Sequence, residues 1–180
     1  MKRFFYFILC VFALPALLNA QVFNTSSTLK KGQFSAGFEP GIYIDGGNDF
    51  NLFLHAGAGI THSVDFAVKL GVMGNDVYIG GDVEFALNKY FSISAGAHSK
   101  GNLGLDATGL FTFPLSHAAR IYSGLDADVV FTEGDTQLPI YLPIGIEIPI
   151  KKYILFVFET EIRLTSQGEH FIGGGLNFLF

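Results

Sequence analysis

From Gln33 onward, apolar residues alternate with polar or small ones at a period of two. In QFSAGFEPGIYI, Phe34, Ala36, Phe38, Pro40 and Ile42 fall on one face, while Ser35, Gly37, Glu39, Gly41 and Tyr43 fall on the other. Two is the side-chain period of a β-strand, whose successive Cβ atoms point to opposite faces. The alternation recurs nine more times, as in Val64, Phe66, Val68, Leu70 and Val72, or in Ile140, Leu142, Ile144, Ile146 and Ile148. Its last instance carries Ile172, Leu176, Phe178 and Phe180. The pattern predicts ten strands of roughly 10 to 12 residues.

Between the strands lie turn signals: IDGGND, THS, GN, NK, SKGN, PLSHA, TEGDTQ, KK and TSQGE. Gly74-Asn75 between two alternating runs is a two-residue hairpin signal. None of these connections has room for a crossover helix, so neighbouring strands are expected to be antiparallel. The reading is an all-β, up-and-down barrel of ten strands.

Periodicity does not say which face is wet. A soluble sandwich or lipocalin-like barrel would turn the apolar face inward; a transmembrane barrel turns it toward lipid. Composition favours lipid. The chain has 22 Gly and 20 Phe with a mean hydropathy of +0.40, yet no apolar run after Ala20 is long enough for a membrane helix, which needs ~20 residues. The apolar face is dense in Phe, Ile, Leu and Val on every strand, whereas the polar face is rich in glycine, too little side chain for an ordinary soluble surface. Short turns and strands close to membrane length agree with this.

Compartment follows from the other end. Met1 to Arg3 is short and basic, Phe4 to Leu18 is apolar, and the small Ala20 follows, the layout of a secretory signal peptide cut near Ala20. The expected organisation is therefore a signal peptide over 1–20, a short periplasmic segment over 21–32 and a barrel over 33–180. The single Cys10 leaves with the leader, which removes disulfides and thiolate metal sites. Lys2 and Arg3 leave too, so nine basic residues face sixteen acids and the net charge falls from −5 to −7. Nucleic acid is excluded as a partner on that balance.

The alternation, the even strand count and a final GGGLNFLF ending on Phe180 resemble small Gram-negative outer-membrane β-barrels, of the kind found in the Bacteroidetes-like outer membrane beta-barrel family. The resemblance covers Gln33 to Phe180 and is one of pattern, with no catalytic motif attached. It implies a bacterial outer-membrane location, contact with outer-membrane lipid and lipopolysaccharide, and a terminal aromatic read by the barrel-assembly machinery.

Pro40 and Pro143 fall mid-strand, where a closed barrel has no free edge to absorb a missing N–H. Bulges are expected there, or, with one hairpin misassigned, a barrel of eight strands. The lack of Trp leaves Tyr and Phe for any interfacial girdle.

Chemistry, where it exists, lies on the inward face. Ten acids point inward: Glu39, Asp65, Asp82, Glu84, Asp106, Asp126, Asp128, Glu147, Glu159 and Glu161. Three permanent bases oppose them: Lys69, Arg120 and Arg163. Unpaired carboxylates are expensive in a dry interior. The lumen must hold water, bind cations or keep some carboxyls protonated; a wet, cation-preferring interior is the simplest account. Inward glycines such as Gly37, Gly71, Gly104 and Gly145 would leave room for it. Phe53, Tyr78, Tyr122, Tyr141 and Phe171 also point inward, and barrels this small are normally filled. A structural, binding or narrow-channel role is the reading, with no cofactor or metal.

A hydrolase is the competing class, since His55 and His98 face the lumen among carboxylates, although no inward Ser-His-acid set comes together in sequence. His62, His117 and His170 fall at turns or rims. One rim collects Asp45, Asp49, Asp76, Glu133, Asp135 and Glu169 against Lys100, the other Lys30, Lys31, Lys89, Lys151 and Lys152. The acidic rim could take divalent cations among lipopolysaccharide phosphates or meet a surface partner of unknown nature.

Overall fold

A computed structural model of the chain describes residues 27–44, 50–116 and 119–180. The expected signal peptide and its cleavage site lie outside them. The described chain forms β1 (Phe34–Ile44), β2 (Phe50–Gly59), β3 (Val64–Met73), β4 (Asp76–Asn88), β5 (Phe91–Ser99), β6 (Leu103–Ser116), β7 (Ala119–Thr132), β8 (Asp135–Gln137), β9 (Ile140–Lys151), β10 (Ile154–Arg163) and β11 (His170–Leu179). Ten of these close into one antiparallel barrel, running in chain order around the ring, with β6 paired to β7, β7 to β9 and β11 back to β1. The eight-strand alternative is thereby excluded. β8 stands outside the ring as a three-residue strand folded back on the end of β7, from Val130↔Gln137 to Thr132↔Asp135.

The seam between first and last strands runs from Ser35↔Leu179 to Ile44↔His170. Phe34 and Phe180 extend it, each N–H donating to the other's carbonyl at 3.2 and 2.9 Å. Closure leaves the barrel without an unpaired edge, which a spanning sheet needs because lipid offers its backbone no hydrogen bonds. The β3–β4 connection is a tight hairpin, with Gly74 at a φ of 59° where a side chain would be strained. Connections alternate between two ends. The longer ones, including β8 and the residues from Leu164 to Glu169, form the loop end; the β2–β3, β4–β5, β6–β7 and β9–β10 turns form the turn end, together with the chain before β1.

Pro40 and Pro143 are not at bulges, contrary to expectation. Around Pro40 the β1–β11 register is the same on both sides, Phe38↔Leu176 and Gly41↔Gly173, and only the two intervening pairs are missing. Likewise β7 and β9 keep one register from Ser123↔Ile144 to Asp126↔Tyr141 across Pro143. Each proline keeps its pairing on the other side, with Leu52 of β2 and Glu161 of β10. Glycines occupy the interrupted side: Gly174 and Gly175 opposite Pro40, and Gly124 opposite Pro143. A Cβ on Gly175 would run into the Phe38 carbonyl across that gap, whereas the close approach of Gly124 is to the Gly109 carbonyl of β6, on the other side of β7. The lost donor is accommodated by a two-pair gap in an otherwise continuous register, so no extra residue is needed. Register shifts occur at Ala86/Asn88, Pro114/Ser116 and Ile154/Leu155, all beside the turn end.

The apolar face points outward all round: Phe34, Leu54, Leu70, Val72, Phe111 and Leu125 are each more than half exposed. At ~3.3 Å per residue and a tilt near 45°, ten-residue strands raise an apolar band of about 25 Å. At the turn end Tyr90 and Tyr153 are exposed, with the Lys89 and Lys152 ammonium groups 4.6 and 5.0 Å from their ring centroids. This pairing of aromatic and base places a girdle there without tryptophan.

Candidate functional site

All ten inward acids are buried, from 0 % exposed at Glu39 and Glu147 to 7 % at Asp106 and Glu161. They do not form one uniform acidic column. Lys69 reaches Asp82 at 3.0 Å, Arg120 reaches Glu147 at 2.6 Å, and His98 Nδ1 lies 3.2 Å from Asp106 Oδ2. Thr108 Oγ1 donates to Asp126 at 2.6 Å. Lys69 is the one Lys or Arg fully buried among the described residues. Arg163 sits at the loop-end rim, donating to the Gly168 carbonyl at 2.9 Å. Both Glu39 oxygens are buried and have no hydrogen-bond partner among the described residues.

Several inward glycines are covered by neighbouring side chains. A Cβ on Gly37 would meet the His55 ring, on Gly71 the Phe53 ring, on Gly104 the His98 ring, on Gly96 the Asp106 carboxyl and on Gly145 the Tyr122 ring. In every case that neighbour is the residue paired directly across the ladder. A bulky side chain lies down over the glycine opposite, at the short cross-strand spacing of paired residues. Space spared on one strand is filled from the next.

Two apolar clusters complete the filling. Phe53, Met73, Tyr78 and Phe171 pack together, with Tyr43 against them, and the Phe53 and Tyr78 rings meet edge to face at 4.9 Å. Leu110, Tyr122, Leu155 and Val157 form the second. Met73, Leu110, Leu155 and Val157 were not anticipated as lumen residues. They share strand parity with the inward acids, and that signal was available in Leu155, Val157, Glu159 and Glu161.

At the turn end the chain before β1 crosses the barrel mouth. Leu29 is buried and its N–H donates to Asp65 on β3 at 2.6 Å, while Ser27 accepts from Arg120 on β7 at 2.8 Å. β3 and β7 are nearly opposite in the ring, so these residues make a strap. Gly32 N–H to Gly59 O at 2.9 Å fixes its return to β1. Inside the strap is a cavity of about 30 Å³, bordered by His55, Asp65, Asp82 and Glu84, room for one or two waters. Asp65→Asn removes a charged acceptor whose hydrogen bond contributes ~1.5–3 kcal/mol. Trypsin cleavage at the exposed Lys30 and Lys31 is then expected to accelerate roughly tenfold or more; an unchanged rate would show that Asp65 does not hold the strap.

A larger cavity, about 200 Å³, opens at the loop end. Tyr43, Tyr78 and Tyr141 wall it with Met73; His98 and Asp128 lie deeper; Lys100 and Glu169 stand at the mouth. The His98–Asp106 contact meets half of a hydrolase geometry. The other half is lacking among the described residues, because His98 Nε2 has no hydrogen-bond partner and so no nucleophile rests on it. His55 lies over Gly37 and borders the small cavity. His62 is exposed in the β2–β3 turn, and His170 accepts from the Arg163 N–H at 3.1 Å.

Of the acidic rim, Asp76, Glu133 and Asp135 are exposed at the loop end and Glu169 is half-buried. Asp45, Asp49 and His117 lie outside the described residues. No group of three His, Cys, Asp or Glu among the described residues is arranged to hold a metal ion.

No family model and no curated protein matches the chain. Among solved structures it overlaps the KdgM porin at a TM-score of 0.49 and 9 % identity, over 81 % of this chain and 99 % of that one. The de novo designed TMB2.3 overlaps at 0.48 and 13 %, over 83 % and 94 %. The N-terminal β-barrel domain of Pseudomonas aeruginosa OprF overlaps at 0.41 and 12 %, over 84 % and 100 %. These loose overlaps add nothing to the closed barrel established by the chain's own strand pairing.

Proposed function

We propose that the chain is an integral barrel of the bacterial outer membrane, closed through its centre, with a structural or binding role exercised at its loop end. The location is supported by the signal-peptide pattern and by the apolar band facing outward on all ten ring strands. Lipid and lipopolysaccharide are then its surroundings, with the loop end on the cell surface and the strap in the periplasm.

The observation that carries the closed reading is that inward side chains lie over the glycines paired with them, while the two cavities at opposite ends share no lining residue. Buried ion pairs set among tightly packed neighbours favour a unique interior over passage of hydrated ions. The experiment is single-channel recording of the refolded mature protein in planar bilayers under a salt gradient. Silence from protein verified as folded is expected. Cation-selective steps that weaken in Glu159→Gln/Glu161→Gln would overturn the closed reading in favour of a narrow acidic channel. Catalysis has less support, since the His98–Asp106 pair has no nucleophile beside it.

A further inference from the structure

Two recesses on the outer face share Phe91, Phe111 and Phe113 and so form one groove. One part, of about 570 Å³, begins at the turn end against Asn88, Tyr90 and Pro114. The other, of about 530 Å³, continues toward mid-barrel over Gly109 and Ser123, with Leu125 at its side. Strand register makes the groove: Gly109 pairs with Leu125 and Phe111 with Ser123, so two small outward residues meet on adjacent strands and lower the floor. The Phe91 and Phe111 rings, with centroids 4.5 Å apart, build the wall.

Charge at the mouth restricts what fills it. Lys89 is exposed, and its ammonium stands 4.6 Å from the Tyr90 centroid, the arrangement of a base and an aromatic at a membrane interface. Asn88 accepts the Tyr90 N–H through Oδ1 at 2.8 Å, so what it can offer a ligand is its NH2 donor. Nothing of opposite sign competes nearby: among the described residues Lys30, Lys31, Lys89, Lys151 and Lys152 are exposed at the turn end, whereas the exposed acids Asp76, Glu133 and Asp135 all lie at the loop end. A basic mouth leading into an apolar groove is complementary to a molecule with a negative head and a hydrocarbon tail. We propose that the groove holds one anionic phospholipid of the turn-end leaflet, its phosphate at Lys89 and Asn88 and an acyl chain laid along Phe91, Phe111 and Phe113 to the Gly109 floor.

The inference rests on the membrane location but not on the closed lumen. The chain has no tryptophan, so a single introduced one reports on its own surroundings. Ile121→Trp places it beside the groove, on the residue paired with Phe113; Phe66→Trp places it on β3, nearly opposite in the ring. Each mature barrel is refolded into phosphatidylcholine vesicles containing a minor fraction of acyl-brominated phosphatidylglycerol or acyl-brominated phosphatidylcholine, and quenching of its fluorescence gives the relative affinity of the two lipids. At position 121 phosphatidylglycerol is expected to be favoured about fivefold, the contribution of one base near the surface. Lys89→Gln should abolish that preference and Gly109→Val, which raises the floor, should at least halve it, while the preference at position 66 stays smaller and indifferent to both changes. Equal quenching by the two lipids at position 121 would overturn the proposal, as would a preference that survives Lys89→Gln or Gly109→Val, or one matched at position 66. Quenching at 66 but by neither lipid at 121 would show that a second barrel covers the groove, and also overturns it. Absence of quenching at both positions would mean that the membrane location itself fails, and the lipid site with it.

Discussion

Lys69→Met is expected to destabilise the barrel by ~3–5 kcal/mol, the loss typical of breaking a buried ion pair from one side. Lys69 is 2 % exposed and lies 3.0 Å from Asp82, itself 5 % exposed. Its removal leaves Asp82 without its cation in a buried interior that already holds nine other acids. The penalty comes from the stranded partner more than from the lost attraction. Lys69→Met/Asp82→Leu, which removes both charges and roughly retains volume, should accordingly recover most of the loss. The measurement is the urea midpoint of the folded barrel in micelles for wild type, both single variants and the double. A double variant as weak as Lys69→Met would show that Lys69 serves the acids collectively rather than Asp82.

Gly145→Val ranks second, with an expected loss of ~1–3 kcal/mol or more from overpacking. The Tyr122 ring occupies the position that a Cβ at 145 would need, and Tyr122 is 1 % exposed with nowhere to retreat. Gly109→Val is the matched comparison: Gly109 faces outward, where a Cβ would find only the Phe91 ring at 3.6 Å. That substitution should change the urea midpoint little. Tyr122→Ala/Gly145→Val should be less damaging than the sum of its parts, because the first change vacates the space the second fills. Equal losses at positions 109 and 145 would argue that strand glycines act through backbone conformation and not through the rings lying over them.

Strand parity was legible because a membrane barrel must alternate: lipid contacts one face and the other strand face turns away from it. Antiparallel order was legible because the connections were too short for anything else. Leu155 and Val157 also stand at the inward parity of Glu159 and Glu161, in a stretch where both faces are apolar and the alternation is therefore silent. The prolines misled because a missing N–H says that a ladder bond is lost and not how the strand accommodates it. At Pro40 the accommodation depends on Gly174 and Gly175, about 135 residues away and adjacent only after the seam closes.

The alternation of residues 33–180 sorted each strand into two faces, because that property is local and repeats with a period of two, and the composition of the two faces indicated which one meets lipid. It also carried the count of ten ring strands. Whether the interior is wet or filled was not a local property. It depends on which glycine lies opposite which ring, on Lys69 being placed beside Asp82, and on residues 27–33 folding back across the mouth from Asp65 toward Arg120. Ring closure and register set those juxtapositions, and a one-residue difference in pairing would have put Tyr122 over a different neighbour. Tyr78, His98 and Asp128, which line the loop-end cavity, likewise come from β4, β5 and β7 and meet only in the closed barrel.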